Sequence, residues 1–216
     1  MALIYLLRHA HSEANGAGIL AGRASGVRLS EIGRRQADEI AMKLAREEFS
    51  AIYHSPMERC SQTIAPLAKR IGKRSRSIDE FIEMDYGKWT GRSLKELSKE
   101  ALWRDIKRRP SEVRFPSGES FRGAQRRIIR RLNAITRRHP KGKILVVSHG
   151  DIIKLAIQET LAGDLDKFQR IVIDPASLSV LNWKERTVVS INQKLVTERG
   201  KKSLGARRVL GGGSNV

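Results

Sequence analysis

Leu3-Ile4-Tyr5-Leu6-Leu7, followed directly by Arg8-His9, and Ile144-Leu145-Val146-Val147-Ser148, followed by His149-Gly150, are the two stretches on which the fold turns. Short unbroken apolar runs read as strands buried on both faces, the pattern of a parallel sheet. Ligands of open α/β sheets bind outside the carboxyl ends of such strands. Two imidazoles and a guanidinium at two strand ends therefore describe a positively charged pocket on one edge of a sheet, which is what a phosphate ester requires. A third strand end agrees. Ala51-Ile52-Tyr53 is apolar, and Ser55-Pro56 then opens a predicted helix, with proline in the first turn where its missing N–H would be unpaired anyway. Arg59 falls within a turn of that start. With this strand parallel to the first, Arg59 and Arg8 converge on one point, and guanidinium forks match phosphate oxygens bidentately.

Outward from these stretches the chain alternates element types. Strands are predicted at 3–7, 50–54, 75–79, 143–148, 177–183 and 187–193, and helices at 30–47, 56–71, 119–138 and 150–162. Leu29, Ile32, Ala37, Ile40 and Leu44 recur at roughly helical spacing behind Ser30, a plausible N-cap. Phe121, Ala124, Ile128, Leu132 and Ile135 fall on one face of a later helix. Strands separated by helices give a three-layer α/β sandwich with a mainly parallel central sheet flanked by helices. The 177–193 pair, with Lys184-Glu185-Arg186 between its arms, is expected to form an antiparallel edge. Residues 1–198 form one predicted domain in which 84–118 is an irregular insertion acting as a lid; 199–216 reads as a basic flexible tail.

The 216 residues are 40% hydrophobic, enough for a sizeable core and against disorder. Cys60 is the single cysteine, which rules out an intramolecular disulfide and suits a reducing cytoplasm. No segment reaches the length of a membrane span, and the first apolar run lacks the charged lead of a signal peptide. The net charge is +19, and residues 101–150 alone hold 14 basic and 3 acidic groups. Arg126, Arg127, Arg130, Arg137 and Arg138 mostly avoid the apolar helix face and are expected in solvent, away from the catalytic edge. Such a charge suits an anionic partner, nucleic acid included. With aromatics at 5% and no interleaved aromatic stripe, a solvated basic face is the favoured reading. Oligomeric state is left open.

Of the other histidines, His139 precedes Pro140 in a basic loop and is expected in solvent, His54 ends a strand, and His11 follows His9 closely. No His-x-x-x-His, Cys-x-x-Cys or carboxylate cluster has ligand spacing, so neither a metal nor another cofactor is expected.

Further segments extend the pattern: Arg8-His9-Ala10 with Ser12, Glu13 and Asn15; Gly22-Arg23; Leu29-Ser30; Gly33-Arg34-Arg35-Gln36-Ala37; and Ser55-Pro56-Met57-Glu58-Arg59-Cys60-Ser61-Gln62-Thr63. Glu83 follows with Gly87, Trp89 and Gly91, then Gly118-Glu119-Ser120 and Ser148-His149-Gly150-Asp151. In this order, from about Leu3 to Asn192, the chain resembles the histidine phosphatase superfamily, which includes the cofactor-dependent phosphoglycerate mutases. The resemblance implies a phosphoglycerate mutase-like fold and metal-independent hydrolysis of a small phosphate ester. It implies His9 as the nucleophile that forms a phosphohistidine, with Arg8, Arg59 and His149 clamping the phosphoryl oxygens. Asn15 and Gly150 join the phosphate-binding set, and Glu83 is the implied general acid and then base. Spacing alone does not say which histidine attacks, nor does it choose Glu83 over Asp79, Glu80 or Asp85. A carboxyl that donates a proton near neutrality needs burial or a neighbouring anion, which Ile82, Met84, Trp89 and the bound phosphate would provide. Ala10 stands where the family signature has glycine, predicting a tighter fit. Lys88, Arg92, Lys95, Trp103, Arg104 and Arg108 are candidates for leaving-group recognition. A phosphoglycerate mutase using the same pocket is the alternative, and a non-catalytic anion binder is a third reading.

Overall fold

The structure, a computed structural model, describes residues 1–196; the predicted tail at 199–216 lies outside them. Six strands form one sheet: β1 (Ala2–Arg8), β2 (Phe49–His54), β3 (Ser75–Ser77), β4 (Gly142–Ser148), β5 (Ser177–Asn182) and β6 (Thr187–Lys194), in the order β3-β2-β4-β1-β5-β6. The first four are mutually parallel, and β5 and β6 add the antiparallel edge.

Alternation along the central strands feeds two cores. Ile4, Leu6, Ile144 and Val146 point into one, covered by α6 (Phe121–Arg138) and α7 (Gly150–Thr160). Leu7, Leu145 and Val147 point into the other, covered by α2 (Glu31–Leu44) and α3 (Glu58–Arg70). The five apolar positions predicted on one face of α6 are all buried. Ser30 and Ser120 cap α2 and α6 by accepting from the N–H groups of Gly33 and Gly123.

The elements differ from expectation in several places. Helix α3 starts at Glu58 with Met57 as its N-cap, so Pro56 precedes the helix. Ser55 is still held by the sheet, its N–H donating to Val147 O, and the chain needs two more residues to turn. Strand β3 stops at Ser77 because Asp79–Phe81 tightens into a 3₁₀ turn. The 84–118 insertion is less irregular than predicted: it contains α4 (Leu94–Leu97) and α5 (Ala101–Arg108). Trp89, Leu97, Trp103, Ile106 and Phe115 from this insertion join the same core as α6. Trp89 and Trp103 stack 6.2 Å apart, and both are buried. The short α1 (Glu13–Ala17), also unforeseen, is closed by a reciprocal capping box between Ser12 and Asn15.

Among the described residues no helix is long and apolar enough to cross a membrane.

Candidate active site

Strand register brings the three predicted ends to one level. Arg8 pairs with Ser148 across β1 and β4, and His54 pairs with Val147 across β2 and β4. The His9 N–H then donates to Ser148 O at 2.9 Å, so the two histidines leave adjacent strands side by side. Their rings lie 5.2 Å apart, centroid to centroid. Arg59, in the first turn of α3, reaches the same place: its Nη2 donates to His149 Nδ1 at 3.2 Å and to Gly22 O at 2.8 Å. Arg8 Nη1 donates to Ile173 O at 2.7 Å. Arg8, His9, Arg59, Glu83 and His149 are all buried.

The hydrogen bonds of each ring fix its chemistry. His9 Nδ1 lies 2.8 Å from the carbonyl oxygen of Ala10. A carbonyl only accepts, so Nδ1 carries the hydrogen and Nε2 keeps its lone pair. In His149 Nδ1 accepts from Arg59, which places the hydrogen on Nε2, donated to Ser55 Oγ at 2.7 Å. Burial, then the charges of Arg59 and Arg8, hold the His9 pKa well below its ordinary 6.5. Burial and Arg59 do the same to His149. Both rings are neutral near pH 7, as a nitrogen nucleophile must be.

These lowered values are linked to stability. Each histidine binds a proton more readily unfolded than folded, so the stability it contributes is present above pH 6.5 and is lost as pH falls below it. His9→Ala removes one such group. Its melting temperature relative to wild type is expected to rise progressively as pH drops from 7 to about 5. Parallel melting curves at several pH values check this; a constant difference would mean that His9 titrates normally.

Glu83 follows the 3₁₀ turn Asp79–Phe81, which Ser148 anchors by donating its Oγ–H to Phe81 O at 2.7 Å. Glu83 Oε1 accepts from Met84 N at 2.9 Å, and Oε2 lies 3.9 Å from His149 Nδ1. Burial first, and the Asp151 carboxylate second, push its pKa up to about 7, against the Met84 N–H, Arg59 and Arg8. Met84 and Trp89, expected as its apolar surroundings, are both buried in the core shared with α6.

The remaining sequence candidates divide. Asn15 is spent in part on the α1 cap, its Oδ1 accepting from Ser12 N and Ser12 Oγ. Gly150 is the first residue of α7 behind the N-cap His149. Ala10 has no left-handed backbone, and its buried methyl group sits in the core with Leu7 and Leu29. The missing glycine is thus accommodated on the core side. His11 bonds to Ser30, and His139 is half-buried on Tyr53 instead of free in solvent. Cys60 lies 3.6 Å from His149 Nε2, but burial pushes its thiol up to about 12, so no thiolate forms at neutral pH. Among the described residues no three His, Cys, Asp or Glu side chains are grouped to hold a metal.

Arg127 corrects the expectation of a wholly solvated arginine face. Its guanidinium donates to Glu80 O at 2.6 Å, Glu83 O at 3.1 Å and the Glu119 carboxylate at 2.8 Å. Arg23 donates to the same Glu83 carbonyl at 2.9 Å and also pairs with Glu119. Two arginines tied by one glutamate thus hold the backbone of the Glu83 segment. At Gly118 a Cβ would collide with the Asp85 carbonyl, and at Gly87, with φ +51°, it would run into Pro116 O. Behind His9, Thr63 Oγ1 accepts from Ala10 N at 2.9 Å, and the His9 carbonyl accepts from Ala176 N at 3.2 Å. A Cβ on Gly33 would enter the His11 carbonyl, so α2 packs directly on the loop that carries His9.

Buried guanidinium atoms Arg8 Nε, Arg59 Nε and Arg59 Nη1 have no hydrogen-bond partner among the described residues. Buried donors are normally paired. Preorganised donors beside a neutral imidazole with a free lone pair and a protonatable carboxyl are the parts of a phosphoryl-transfer site.

The sequence profile of the histidine phosphatase superfamily, branch 1, matches residues 4–194. The chain is 32% identical over 213 residues to phosphoserine phosphatase 1 of Hydrogenobacter thermophilus, covering 97% of this chain and 100% of that one. It is 26% identical over 204 residues to the 2,3-bisphosphoglycerate-dependent phosphoglycerate mutase of Thermoplasma acidophilum, covering 94% and 98%. The crystal structure of phosphoserine phosphatase from Entamoeba histolytica in complex with 3-phosphoglyceric acid shares the fold, with a TM-score of 0.80 at 23% identity over 90% of this chain and 98% of that one. The chain belongs to branch 1 of the histidine phosphatase superfamily and is a phosphohydrolase.

Proposed function

We propose that the enzyme hydrolyses a phosphomonoester through a phosphohistidine on His9, without a metal ion. The observation that carries this reading is the hydrogen bond from His9 Nδ1 to Ala10 O, which commits Nε2 to attack. The Nε2 lone pair forms a bond to phosphorus as the ester P–O bond breaks, and the Glu83 carboxyl protonates the departing alkoxide. Glu83, now ionised, takes a proton from water as that water attacks the phosphohistidine. Phosphate leaves, and His9 and Glu83 return to their starting states. The partnerless nitrogens of Arg8 and Arg59 supply the charge for the equatorial oxygens; His149, by turning its Nε2–H from Ser55 Oγ to a phosphoryl oxygen, Asn15 and the backbone at Gly150 complete the phosphate set.

A small phosphorylated metabolite is the substrate class, and the phosphoserine phosphatase similarity makes phosphoserine the first to try. The 84–118 insertion is the proposed lid, with Lys88 and Arg104 exposed on it. Arg126, Arg130, Arg137 and Arg138 are exposed on α6 and read as a solvated face, with nucleic acid not favoured as a partner. One buried cysteine suits a reducing cytoplasm.

The test is phosphate release from a panel of phosphomonoesters in the presence of a chelator, with each reaction also quenched in alkali and probed for phosphohistidine. Release that resists the chelator, accompanied by a phosphohistidine, is the expected result. Phosphohistidine without net hydrolysis would replace this reading with the mutase. Loss of all release in chelator, restored by a divalent ion, would overturn it.

A further inference from the structure

Asp151 is a buried charge for which phosphate binding has no use. It is the second residue of α7, two places beyond His149, and it is completely enclosed. The surrounding site gathers Arg8, Arg59 and two histidines to hold an anion, and a carboxylate among them weakens that field. Its contacts indicate what it does instead. Tyr86 donates its hydroxyl to Asp151 Oδ2 at 2.8 Å, and Lys154 Nζ lies 3.5 Å from Oδ1, one turn further along α7. Lys154 is itself buried, donates to Gln169 Oε1 at 3.2 Å and lies 5.4 Å from the centroid of the Phe168 ring. Tyr86 is three residues beyond Glu83 on the same segment. The other anchors of that segment grip its backbone: Ser148 at Phe81 O, Arg23 and Arg127 at Glu83 O. The Tyr86–Asp151 bond ties the segment to α7, whose N-cap His149 faces the Glu83 carboxyl.

We infer that Asp151, clamped by Tyr86 and Lys154, is a positioning residue that holds the Glu83 carboxyl in place and in its protonated form, ready to donate to the leaving alcohol. This rests on the reading of Glu83 as the general acid. The charges facing Glu83 come from every element around it. Arg8 from β1 and Arg59 from α3 favour its ionised form, as does the Met84 N–H on its own segment. His149 at the head of α7 is neutral, and Tyr86 keeps its proton, its pKa driven well above 10 by burial and by Asp151. Arg23 and Arg127 are paired with Glu119 and address the Glu83 carbonyl. Asp151 is the anion that opposes the arginines, and Lys154 partly balances it.

The sign follows. Without the Asp151 charge the arginines prevail, the pKa of Glu83 falls, and less of it is protonated above pH 7. The profile of kcat/KM reports groups of the free enzyme, so its alkaline limb should move to lower pH in Asp151→Asn, which keeps an acceptor for Tyr86. A shift of about one pH unit corresponds to about a tenfold change in protonated Glu83 on that limb. The experiment compares phenyl phosphate, whose leaving group needs the proton more, with p-nitrophenyl phosphate, whose leaving group needs it less. At pH 8 the ratio of kcat/KM, p-nitrophenyl over phenyl, is expected to rise about tenfold in the variant. Asp151→Asn/Lys154→Gln replaces the buried ion pair with a neutral polar pair and should show a rise in the same direction but smaller. Glu83→Gln is the control for the underlying reading, and it too should raise the ratio. If it does, while both Asp151 variants keep the wild-type limb and ratio, the inference is overturned and the reading of Glu83 stands. If Glu83→Gln slows both esters equally, Glu83 is not the acid and both fall.

Discussion

His9→Ala is expected to lower the rate of phosphate release by at least ~1,000-fold, the scale seen when a catalytic nucleophile is removed from an otherwise intact site. The loss should lie in kcat, because the groups proposed to grip the phosphoryl oxygens are untouched. Arg8 is fixed by Ile173 O, Arg59 by Gly22 O, and neither needs the His9 ring to stay in place. The backbone at position 9 is held from both sides, by Ser148 O and by Ala176 N. The variant should therefore still bind inorganic phosphate, seen as a phosphate-dependent rise in melting temperature, and yield no phosphohistidine after an alkaline quench. The rival nucleophile is His149, 5.2 Å away ring to ring. Its geometry argues against attack: Nδ1 is occupied by Arg59 and Nε2 by Ser55. Should His9→Ala retain a tenth of the wild-type rate and remain labelled on histidine, His149 is the nucleophile and the tautomer argument is wrong.

How much of this was legible in the sequence depends on the range of the forces involved. The parallel strands β1 and β4 were, because burial on both faces leaves an unbroken apolar run, and with them came Arg8, His9 and His149 at the strand ends. Arg59 was legible despite a misplaced helix start, since it stays in the first turn whether α3 begins at residue 56 or 58. Glu83 was not separable from Asp79, Glu80 and Asp85 without the family resemblance. What distinguishes it is burial, and burial in an irregular segment has no periodicity to reveal it. Arg127 was misread for a related reason. Helical spacing placed it off the apolar face of α6, but its partners Glu80, Glu83 and Glu119 come from the adjoining irregular segments. Asp151 and Lys154 did leave a trace. Ile152-Ile153, then Leu155-Ala156-Ile157, make α7 apolar on every side, and a helix apolar all round is buried. Any charge embedded in such a run must be enclosed with it and paired.

Arg59 is where function and stability separate most clearly. Arg59→Met keeps the unbranched stem and removes the fork, leaving the developing charge on the transferring phosphoryl group without two of its three partnerless donors. A preorganised donor of this kind is typically worth ~100- to 1,000-fold in kcat, about 3–4 kcal/mol. Arg59→Lys should recover only part of that, since an ammonium is a point charge and cannot present two parallel N–H groups. The free protein should respond far less. Gly22 O loses its donor, a cost of about 1–3 kcal/mol for a buried acceptor. Against this, a buried guanidinium with two unpaired nitrogens is taken out of the interior, which is favourable by a comparable amount. The two nearly offset, so unfolding free energy should change by less than about 1.5 kcal/mol, while the rise in melting temperature given by inorganic phosphate shrinks. Arg59 is also the leading charge lowering both histidines. Without it their pKa values climb towards the ordinary range, and the acid limb of the residual activity should move to higher pH because His9 must be neutral to attack. A variant that loses stability in proportion to its activity, keeps the phosphate-induced rise and leaves the acid limb in place would reduce Arg59 to a strut under the Gly22 loop. The clamp would then rest on Arg8 alone.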